Sequence, residues 1–396
     1  MERKRNTDSQ NTAEGKEGHA ITAGRGKVVK LGLIGCGRVA ETRHLPALQN
    51  LAGAEVVAMA DLDPERLRRV ADRFHVKQRY TNFVALLDDS SIEAVAVCVP
   101  VQFHVEIALA ALEAGKHVLI EKPLALSLEE ANRLIERAGQ MPRTIMVGFN
   151  LRWHRLLRQA QAMIQQGALG SLELMRTAFT SYHENVPEWR KRRELGGGVL
   201  FEIAVHHFDL WRFLLRSEVE EVLAVSRSPH WEDETAVVTA RLANGVLVTS
   251  IFSERTNESN EVEIYGQAGY LRVSCYRFDG LEYVSSSSRA GDVRTRLRQM
   301  AHTLKELPQG AWGMRRGGDL IASYRAEWQH FIEAVQHDAP VECTVEDGRC
   351  ALQVALAAIE SASLGQSVRV ARVPRRSTAG TRDFAPGTSK RSIGEA

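Results

Sequence analysis

The chain has 396 residues, of which 44% are hydrophobic and 25% are charged, as expected for a soluble globular protein of about two domains. No apolar run is long enough to cross a bilayer, and the basic, polar N-terminus does not resemble a secretory signal. The five cysteines are scattered and include no Cys-x-x-Cys pair, which argues against a zinc site and against a disulfide framework. We therefore expect a cytoplasmic protein.

The formal net charge of +2 is unevenly distributed. Residues 1–27 and 373–396 are polar, rich in small residues and net basic, and we predict that both are disordered tails. The body between them is slightly acidic, with 40 basic and 43 acidic residues. Because nucleic-acid binding calls for a basic stripe on the folded body, this distribution argues against a nucleic-acid partner.

Residues 28–150 alternate between short apolar runs and helical patterns. This alternation predicts a parallel sheet covered on both faces by helices. Asp63 before Pro64, and Ser127 before Glu129 and Glu130, are predicted helix N-caps. The predicted strands are Val28–Ile34, Glu55–Ala60, Ile92–Cys98, His117–Ile120 and Thr144–Val147, and the predicted helices are Val39–Asn50, one from Pro64, Val105–Ala114 and Ser127–Gly139.

The pattern changes after residue 150, where strands follow one another with few helices between them. This favours an α/β fold whose second domain, 151–372, has a large, open, mainly antiparallel sheet. An insertion at 286–318 fits no simple element, although Val293–Lys305 has the pattern of a basic amphipathic helix that covers the site or serves a subunit contact. The predicted strands are 171–182, 218–226, 234–242, 246–253, 260–265, 269–275 and 367–370, and the predicted helices are 155–166, 199–215, 319–337 and 345–364.

A Gly-x-Gly-x-x-Ala turn, Gly35-Cys36-Gly37-Arg38-Val39-Ala40, joins the first predicted strand to a helix. The first glycine permits the tight turn, the second lets the backbone approach a pyrophosphate, and the helix N-terminus supplies N–H donors. Asp61 ends the second predicted strand, where a carboxylate accepts from the adenosine ribose hydroxyls. A carboxylate there repels a 2′-phosphate and favours NAD. Arg38 and Arg66 lie close in sequence and keep NADP as the alternative.

Lys122, in Glu121-Lys122-Pro123, follows the apolar run His117–Ile120 and is placed at the carboxyl end of a buried strand. Ligands bind beyond the strand ends of an open α/β sheet, so Lys122 is a candidate to hold a substrate oxygen beside a nicotinamide. The alternative is a surface lysine paired with Glu121.

A glycine run at 196–198 precedes a predicted helix that carries Glu202, His206, His207 and Asp209. Glu202 and His206 are four residues apart and are predicted to share one helical face, so that the carboxylate orients the histidine as a general base. His207 is expected to point elsewhere. A structural ion pair is the alternative, and a metal site is disfavoured because no second ligand cluster supports it.

These motifs, together with Pro100, His104, 114–125 and 148–154, resemble the glucose–fructose oxidoreductase/inositol dehydrogenase (Gfo/Idh/MocA) family over about residues 28–372. The resemblance implies a Rossmann domain, a bound nicotinamide cofactor, a sugar, polyol or related hydroxy compound as substrate, and a homo-oligomer, a dimer or tetramer. It also implies an active-site role for Lys122 and a general acid/base role for His206. The residues expected to bind the cofactor are Gly35, Gly37, Arg38, Val39, Asp61, Pro100, His104, Glu121, Lys122 and Asn150.

Three positions depart from the family pattern: Glu202 replaces the usual aspartate, Ala204 a frequent glycine, and Cys98–Val101 a Thr-Pro-Asn element. The leading hypothesis is an NAD(P)-dependent oxidoreductase in which His206 takes a hydroxyl proton, Lys122 holds the developing alkoxide and Glu202 orients His206. The expected substrate contacts are Arg152, Tyr182, His183, Trp189 and His206. The alternatives are a redox-neutral enzyme that oxidises its substrate transiently and a non-catalytic regulator of the same fold.

Overall fold

A computed structural model of the chain describes residues 27–288, 293–314 and 317–371. The tails that we predicted to be disordered therefore lie outside the described residues, except for Lys27.

The first sheet has six parallel strands in the order β3-β2-β1-β4-β5-β6. The chain order reverses between β1 and β4, which opens a crevice beyond the carboxyl ends of the strands, as in doubly wound dinucleotide-binding folds. The central strands are apolar because helices cover both faces; every residue of β4 is buried. The strands are β1 (Val29–Ile34), β2 (Ala54–Ala60), β3 (Gln78–Tyr80), β4 (Ala94–Val97), β5 (His117–Glu121) and β6 (Ile145–Gly148).

The helices of this region follow the prediction with two differences. The predicted helix Val39–Asn50 is instead a π-helical segment, Ala40–His44, followed by the short α1 (Leu45–Leu48). The short elements β3 and α3 were not predicted, because elements of three to five residues carry little periodicity. Asp63 and Ser127 are N-caps, as predicted. The remaining helices are α2 (Pro64–Arg73), α3 (Phe83–Leu87), α4 (His104–Glu113) and α5 (Leu128–Ala138).

The second sheet has eight strands in the order β13-β12-β11-β7-β10-β9-β8-β14. All neighbours are antiparallel except β7 and β10, so the predicted large, mainly antiparallel sheet is confirmed. The strands are β7 (Leu172–Tyr182), β8 (Val219–Arg227), β9 (Thr235–Leu242), β10 (Leu247–Ser253), β11 (Arg255–Gly266), β12 (Gly269–Ser274), β13 (Leu281–Ser285) and β14 (Val368–Arg369).

One face of the second sheet is covered by helices. The predicted helix 199–215 is interrupted at Ile203 and forms two helices. The insertion contains a longer helix than predicted, which contacts the body through Thr303 and Glu306. The helices are α6 (Arg155–Gln165), α7 (Val199–Glu202), α8 (Ala204–Leu215), α9 (Val293–Met314), α10 (Gly318–His337) and α11 (Val345–Leu364).

Two hydrophobic cores lie on either side of α11. Trp328 and Phe331 of α10 belong to the core of the first sheet, although α10 follows the second sheet in the chain. In α11, Leu352 packs in the first core and Ala358 in the second. The chain thus returns to the first sheet after building the second, which fixes the crevice between them. Within the described residues, no helix combines the length and the apolarity needed to cross a membrane.

Candidate active site

The turns that follow β1, β2, β4, β5 and β6 lie at one edge of the first sheet, because the carboxyl ends of parallel strands share an edge. Gly35, Asp61, Lys122 and Asn150 each follow or end one of these strands. Helices α7 and α8 of the second half of the chain approach the same edge, since Glu202 contacts Lys122 there. The candidate site is formed at this meeting point.

The glycine turn after β1 has the form expected for a dinucleotide. Gly35 has φ +94°, and a Cβ on it would lie 2.5 Å from the Cys98 carbonyl oxygen, so only glycine fits. A Cβ on Gly37 would meet nothing within 4 Å, which leaves open space above the turn for a pyrophosphate. Arg38 and Val39 begin the helical segment that follows, where first-turn N–H groups lack partners within the helix.

Asp61 lies at the end of β2, beside the glycine turn. Its carboxylate accepts from the backbone N–H of Cys36 (2.7 Å) and of Asp63 (2.9 Å), and it also pairs with Arg66. Burial opposes ionisation of Asp61, but the bonds from Arg66 and the two backbone groups lower its pKa below the usual value. Asp61 is therefore a carboxylate held beside the glycine turn, where we expect the adenosine ribose to bind.

Lys122 is bonded to Glu202. Its Nζ donates to the Glu202 carbonyl oxygen at 2.8 Å and to Oε1 at 3.2 Å, and its side chain is only 10% exposed. The alternative pairing with Glu121 is wrong, because Glu121 Oε1 lies 2.8 Å from His44 Nε2 and its Oε2 accepts from the Lys122 backbone N–H. A surface-lysine interpretation is therefore wrong as well.

Glu121 is buried beneath this lysine. The His44 ring links it to α10, since Trp328 Nε1 donates to His44 Nδ1 at 3.0 Å. Burial opposes ionisation of Glu121, but His44 and Lys122 lower its pKa below the usual value. Both of its oxygens are engaged within the protein, so the Glu121 side chain supports the Lys122 turn, and its contact with the cofactor stays a prediction.

His104 likewise supports the site from within. Its Nδ1 lies 2.8 Å from the Pro123 carbonyl oxygen and its Nε2 lies 2.8 Å from that of Val99. Burial lowers the pKa of His104 below its usual value. With both ring nitrogens occupied, His104 ties the turn after β4, where Pro100 precedes a 3₁₀ segment, to the turn after Lys122. We therefore withdraw it as a direct cofactor contact.

His206 lies beside the Lys122–Glu202 pair. It is 9% exposed, and its ring packs near Phe149 and Phe179, with centroid distances of 6.3 and 6.0 Å. Its Nδ1 is buried and has no hydrogen-bond partner among the described residues. Burial, then the charge of Lys122, lowers the pKa of His206 well below its usual value, so the ring is neutral at physiological pH.

The predicted orientation of His206 by Glu202 is wrong. The interruption at Ile203 (φ −97°, ψ −49°) breaks the i,i+4 relationship, and the His206 N–H donates to the Ile203 carbonyl at 3.2 Å. The Glu202 carbonyl is thereby left to accept from Lys122. Glu202 is in the site, but its partner is the lysine.

His207 points away from His206, as predicted from the divergence of adjacent helical residues. Its Nδ1 lies 2.8 Å from Thr177 Oγ1 and its Nε2 lies 3.3 Å from Asn260 Oδ1, both on the second sheet. Burial lowers the pKa of His207 to about 4, so it is a neutral histidine that joins α8 to the sheet.

Arg152 does not contact the crevice, so its assignment to the substrate contacts is wrong. It is buried, and its guanidinium forms a two-pronged ion pair with Asp209 and a further pair with Asp347 at 3.2 Å. Arg212 also contacts Asp347. This network fixes α8, and hence His206, against α11. Asn150, just before Arg152, is also buried and donates to Ser323 Oγ at 3.1 Å.

The other expected substrate contacts lie at the end of β7 and on the segment that follows it. Tyr182 is 58% exposed and stacks with Arg255, and Trp189 is half-buried in a 3₁₀ segment. Burial, then the charges of Arg190 and Arg38, lowers the pKa of His183 below its usual value.

Glu254 is a site residue that the sequence analysis missed. It follows β10, is buried and forms an ion pair with Arg190. Burial raises the pKa of Glu254, while the charge of Arg190 opposes this, and the charges of Glu202 and Lys122 have smaller effects on it. A single glutamate at the end of a strand is not part of a recognisable sequence motif. Glu254 is recognised in the structure by its burial and by its ion pair with Arg190.

Two family profiles match the chain in succession. Residues 29–149 match the oxidoreductase family with an NAD-binding Rossmann fold, and residues 157–272 match the GFO/IDH/MocA C-terminal domain. The first match covers the glycine turn, Asp61 and Lys122, and the second covers Glu202 and His206. The predicted resemblance, the fold class and the NAD cofactor are thus confirmed.

Individual relatives extend the match over most of the chain. Myo-inositol 2-dehydrogenase of Thermotoga maritima is 28% identical over 87% of this chain and 99% of its own. 1,5-Anhydro-D-fructose reductase of Ensifer adhaerens is 29% identical over 86% of this chain and 98% of its own. The solved structure of levoglucosan dehydrogenase with NADH and L-sorbose has a TM-score of 0.75 at 24% identity, covering 88% and 100% of the two chains, which shows the shared fold. The chain belongs to the GFO/IDH/MocA family of NAD-dependent oxidoreductases.

Proposed function

We propose that the protein transfers a hydride between NAD and a secondary alcohol of a sugar, polyol or related hydroxy compound. The observation that carries this proposal is that Lys122, bonded to Glu202, acts electrostatically on His206, a neutral histidine whose Nδ1 has no hydrogen-bond partner among the described residues, at the edge where we expect the nucleotide. A cation that holds an oxygen, beside a base that accepts its proton, is the pair of groups that alcohol oxidation needs. The named activities of the relatives, on inositol and anhydrofructose, support the substrate class.

In the oxidative direction, the uncharged His206 ring takes the hydroxyl proton, and Lys122 stabilises the negative charge that develops on the oxygen. The bound nicotinamide supplies the hydride acceptor. Glu202 holds the ammonium of Lys122 through two bonds and so fixes where the substrate oxygen binds. In the reverse direction the same groups protonate and polarise a carbonyl.

The substrate hydroxyls would be held by the end of β7, by the segment that follows it and by the Glu254–Arg190 pair. Tyr182, His183 and Trp189 remain proposed contacts, and Glu254 joins them because a buried carboxylate can accept from hydroxyl groups. Sites of this kind suit a neutral polyhydroxy compound, since both charges of the pair are already compensated.

We also propose that the protein is a homo-oligomer, dimer or tetramer, assembled through the uncovered face of the second sheet. That face exposes Leu174, Leu223, Val237, Leu247 and Ile251, and contiguous apolar patches of this kind mark contact surfaces. Sedimentation of the wild type and of Leu247→Glu tests this. The five unpaired cysteines support a cytoplasmic location.

Absorbance at 340 nm tests the function. Purified protein would be mixed with NAD and a panel of inositols, anhydrosugars, sugars and sugar acids. Reduced cofactor that accumulates with one compound, in the wild type but not in His206→Ala, supports the dehydrogenase. Conversion of a substrate without any net change in absorbance would favour the redox-neutral alternative.

A further inference from the structure

One face of α10 supports the turn that carries the active-site lysine. Trp328 Nε1 on this face donates to His44 Nδ1 at 3.0 Å, and His44 Nε2 lies 2.8 Å from Oε1 of Glu121, the last residue of β5. On the preceding turn of the helix, Ser323 Oγ accepts a hydrogen bond from the turn after β6 at 3.1 Å. Residues four apart share a helical face, so Glu327, four residues after Ser323 and next to Trp328, belongs to this supporting face.

Glu327 is a fully buried acid. It is 0% exposed, and neither of its carboxyl oxygens has a hydrogen-bond partner among the described residues. Burial, and then the charge of Glu121, raises the pKa of Glu327 well above its usual value, so the group is uncharged at neutral pH. An uncharged carboxyl group has one O–H donor, and a buried donor that stays unpaired costs stability.

Glu121 offers the kind of acceptor that Glu327 lacks. Among the described residues, the Glu121 carboxylate contacts His44 through Oε1 and accepts from the Lys122 backbone N–H through Oε2, at 3.0 Å. A carboxylate has about four lone-pair sites, so these two contacts leave acceptor capacity on a buried, charged group. A buried acid with a proton to donate and a buried carboxylate with room to accept are complementary, and a hydrogen bond to an ionised acceptor is a strong one.

We propose that Glu327 is a positioning residue for Lys122: its carboxyl group donates a hydrogen bond to Glu121, directly or through one buried water, and so fixes the turn from which Lys122 reaches the substrate. A leucine would fill the same place without burying a polar group, so the acid serves the network and not the packing. The inference rests on the proposed function in assigning Lys122 to the reaction.

The test compares variants of the full-length protein that keep or remove the donor. Glu327→Gln keeps a buried N–H donor, whereas Glu327→Leu and Glu327→Met remove it at similar volume, and the second covers the case in which the first does not fold. Glu333→Leu is the control, because Glu333 is exposed on the same helix. The first readout is kcat for NAD reduction with the best substrate of the panel. The second is the rate at which an amine-reactive reagent labels Lys122, which is 10% exposed, followed by peptide mass spectrometry without substrate.

In the Leu and Met variants we expect kcat to fall about tenfold, as for the loss of one hydrogen bond to a charged group, and Lys122 to be labelled at least about threefold faster. Glu327→Gln should keep both values within about threefold of the wild type, and Glu333→Leu should match the wild type. A purely structural role of the acid predicts wild-type kcat and labelling in every folded variant, and that result would overturn the proposal. Equal damage in the Gln and Leu variants would overturn it as well.

Infrared absorption at neutral pH tests the donor itself. The difference between the wild type and Glu327→Gln should contain the carbonyl band of a protonated carboxyl group, and the absence of that band would mean that Glu327 has no proton to donate. If no compound reduces NAD, the proposed function fails, whereas the labelling rates and the infrared band still decide the role of Glu327.

Discussion

Lys122 is bonded to Glu202 through both the main-chain carbonyl and the side-chain carboxylate of that residue, at 2.8 and 3.2 Å. The carbonyl is available because the helix is interrupted at Ile203. The break that separates Glu202 from His206 is therefore the same feature that joins Glu202 to the lysine. We therefore expect Glu202 to position Lys122.

Glu202→Gln should lower kcat by about tenfold to a hundredfold, because the amide keeps a weak contact with Lys122 but loses the charge that holds it. The acid limb of the pH profile of kcat/KM should stay in place, since Glu202 makes no hydrogen bond to His206. A profile measured from pH 4 to 9 checks both points. A limb that moves with this substitution would mean that Glu202 acts through the histidine.

The pH profile should respond to Lys122 instead. The pKa of His206 is lowered by burial and then by the Lys122 charge, so the wild-type acid limb should lie well below pH 6.5. Lys122→Gln removes that charge and should move the limb to higher pH, besides lowering kcat/KM by about a hundredfold or more. The exposed Lys77→Gln is the control. A limb at the same pH in both variants would contradict the electrostatic coupling.

His207 should make the fold sensitive to acid. Its pKa is about 4 in the folded state and about 6.5 in an unfolded chain, so the folded state binds fewer protons between these values. Its contribution to the free energy of unfolding is complete above about pH 6.5 and is lost as pH falls towards 4, by up to about 3 kcal/mol. Urea unfolding of the wild type and of His207→Gln at several pH values should show a smaller pH dependence in the variant. The exposed His337→Gln should behave as the wild type does, and equal slopes for all three proteins would refute the assignment.

The buried network around Arg152 should matter for stability. Among the described residues, Asp209→Asn leaves the Arg152 guanidinium with Asp347 as its only carboxylate partner, and the loss of one member of a buried pair costs about 3–5 kcal/mol. Glu188→Gln breaks an exposed pair with Lys191 and should change the free energy of unfolding by less than about 1 kcal/mol. Similar urea midpoints for the two variants would show that the buried network contributes little.

The sequence predicts those parts of the site that depend on local pattern. The apolar strands give the parallel sheet, and strands of this kind place Gly35, Asp61 and Lys122 at one edge. These residues carry their own signals: a glycine turn, a carboxylate at a strand end and a lysine after a buried run.

The errors arise where a residue's partner is distant in sequence. Nothing in the sequence around Ile203 predicts a break in the helix. The group that uses the Glu202 carbonyl as its acceptor is the ammonium of Lys122, which lies 80 residues away in the chain. Arg152 is expected in the crevice because it follows the last parallel strand, and its actual partner, Asp209, lies 57 residues further along the chain, where no local pattern indicates the pairing. Glu254 was missed for the same reason, since its burial depends on the segment that carries Arg190.

The most direct test of the account is a single-turnover reaction at 340 nm, in which NAD-saturated protein meets the best substrate of the panel. We expect a burst of reduced nicotinamide in the wild type, and a rate at least about a hundredfold lower in a Lys122→Ala protein that still binds NADH normally. A Lys122→Ala protein that reduces NAD at the wild-type rate would contradict the central claim that Lys122 holds the reacting oxygen.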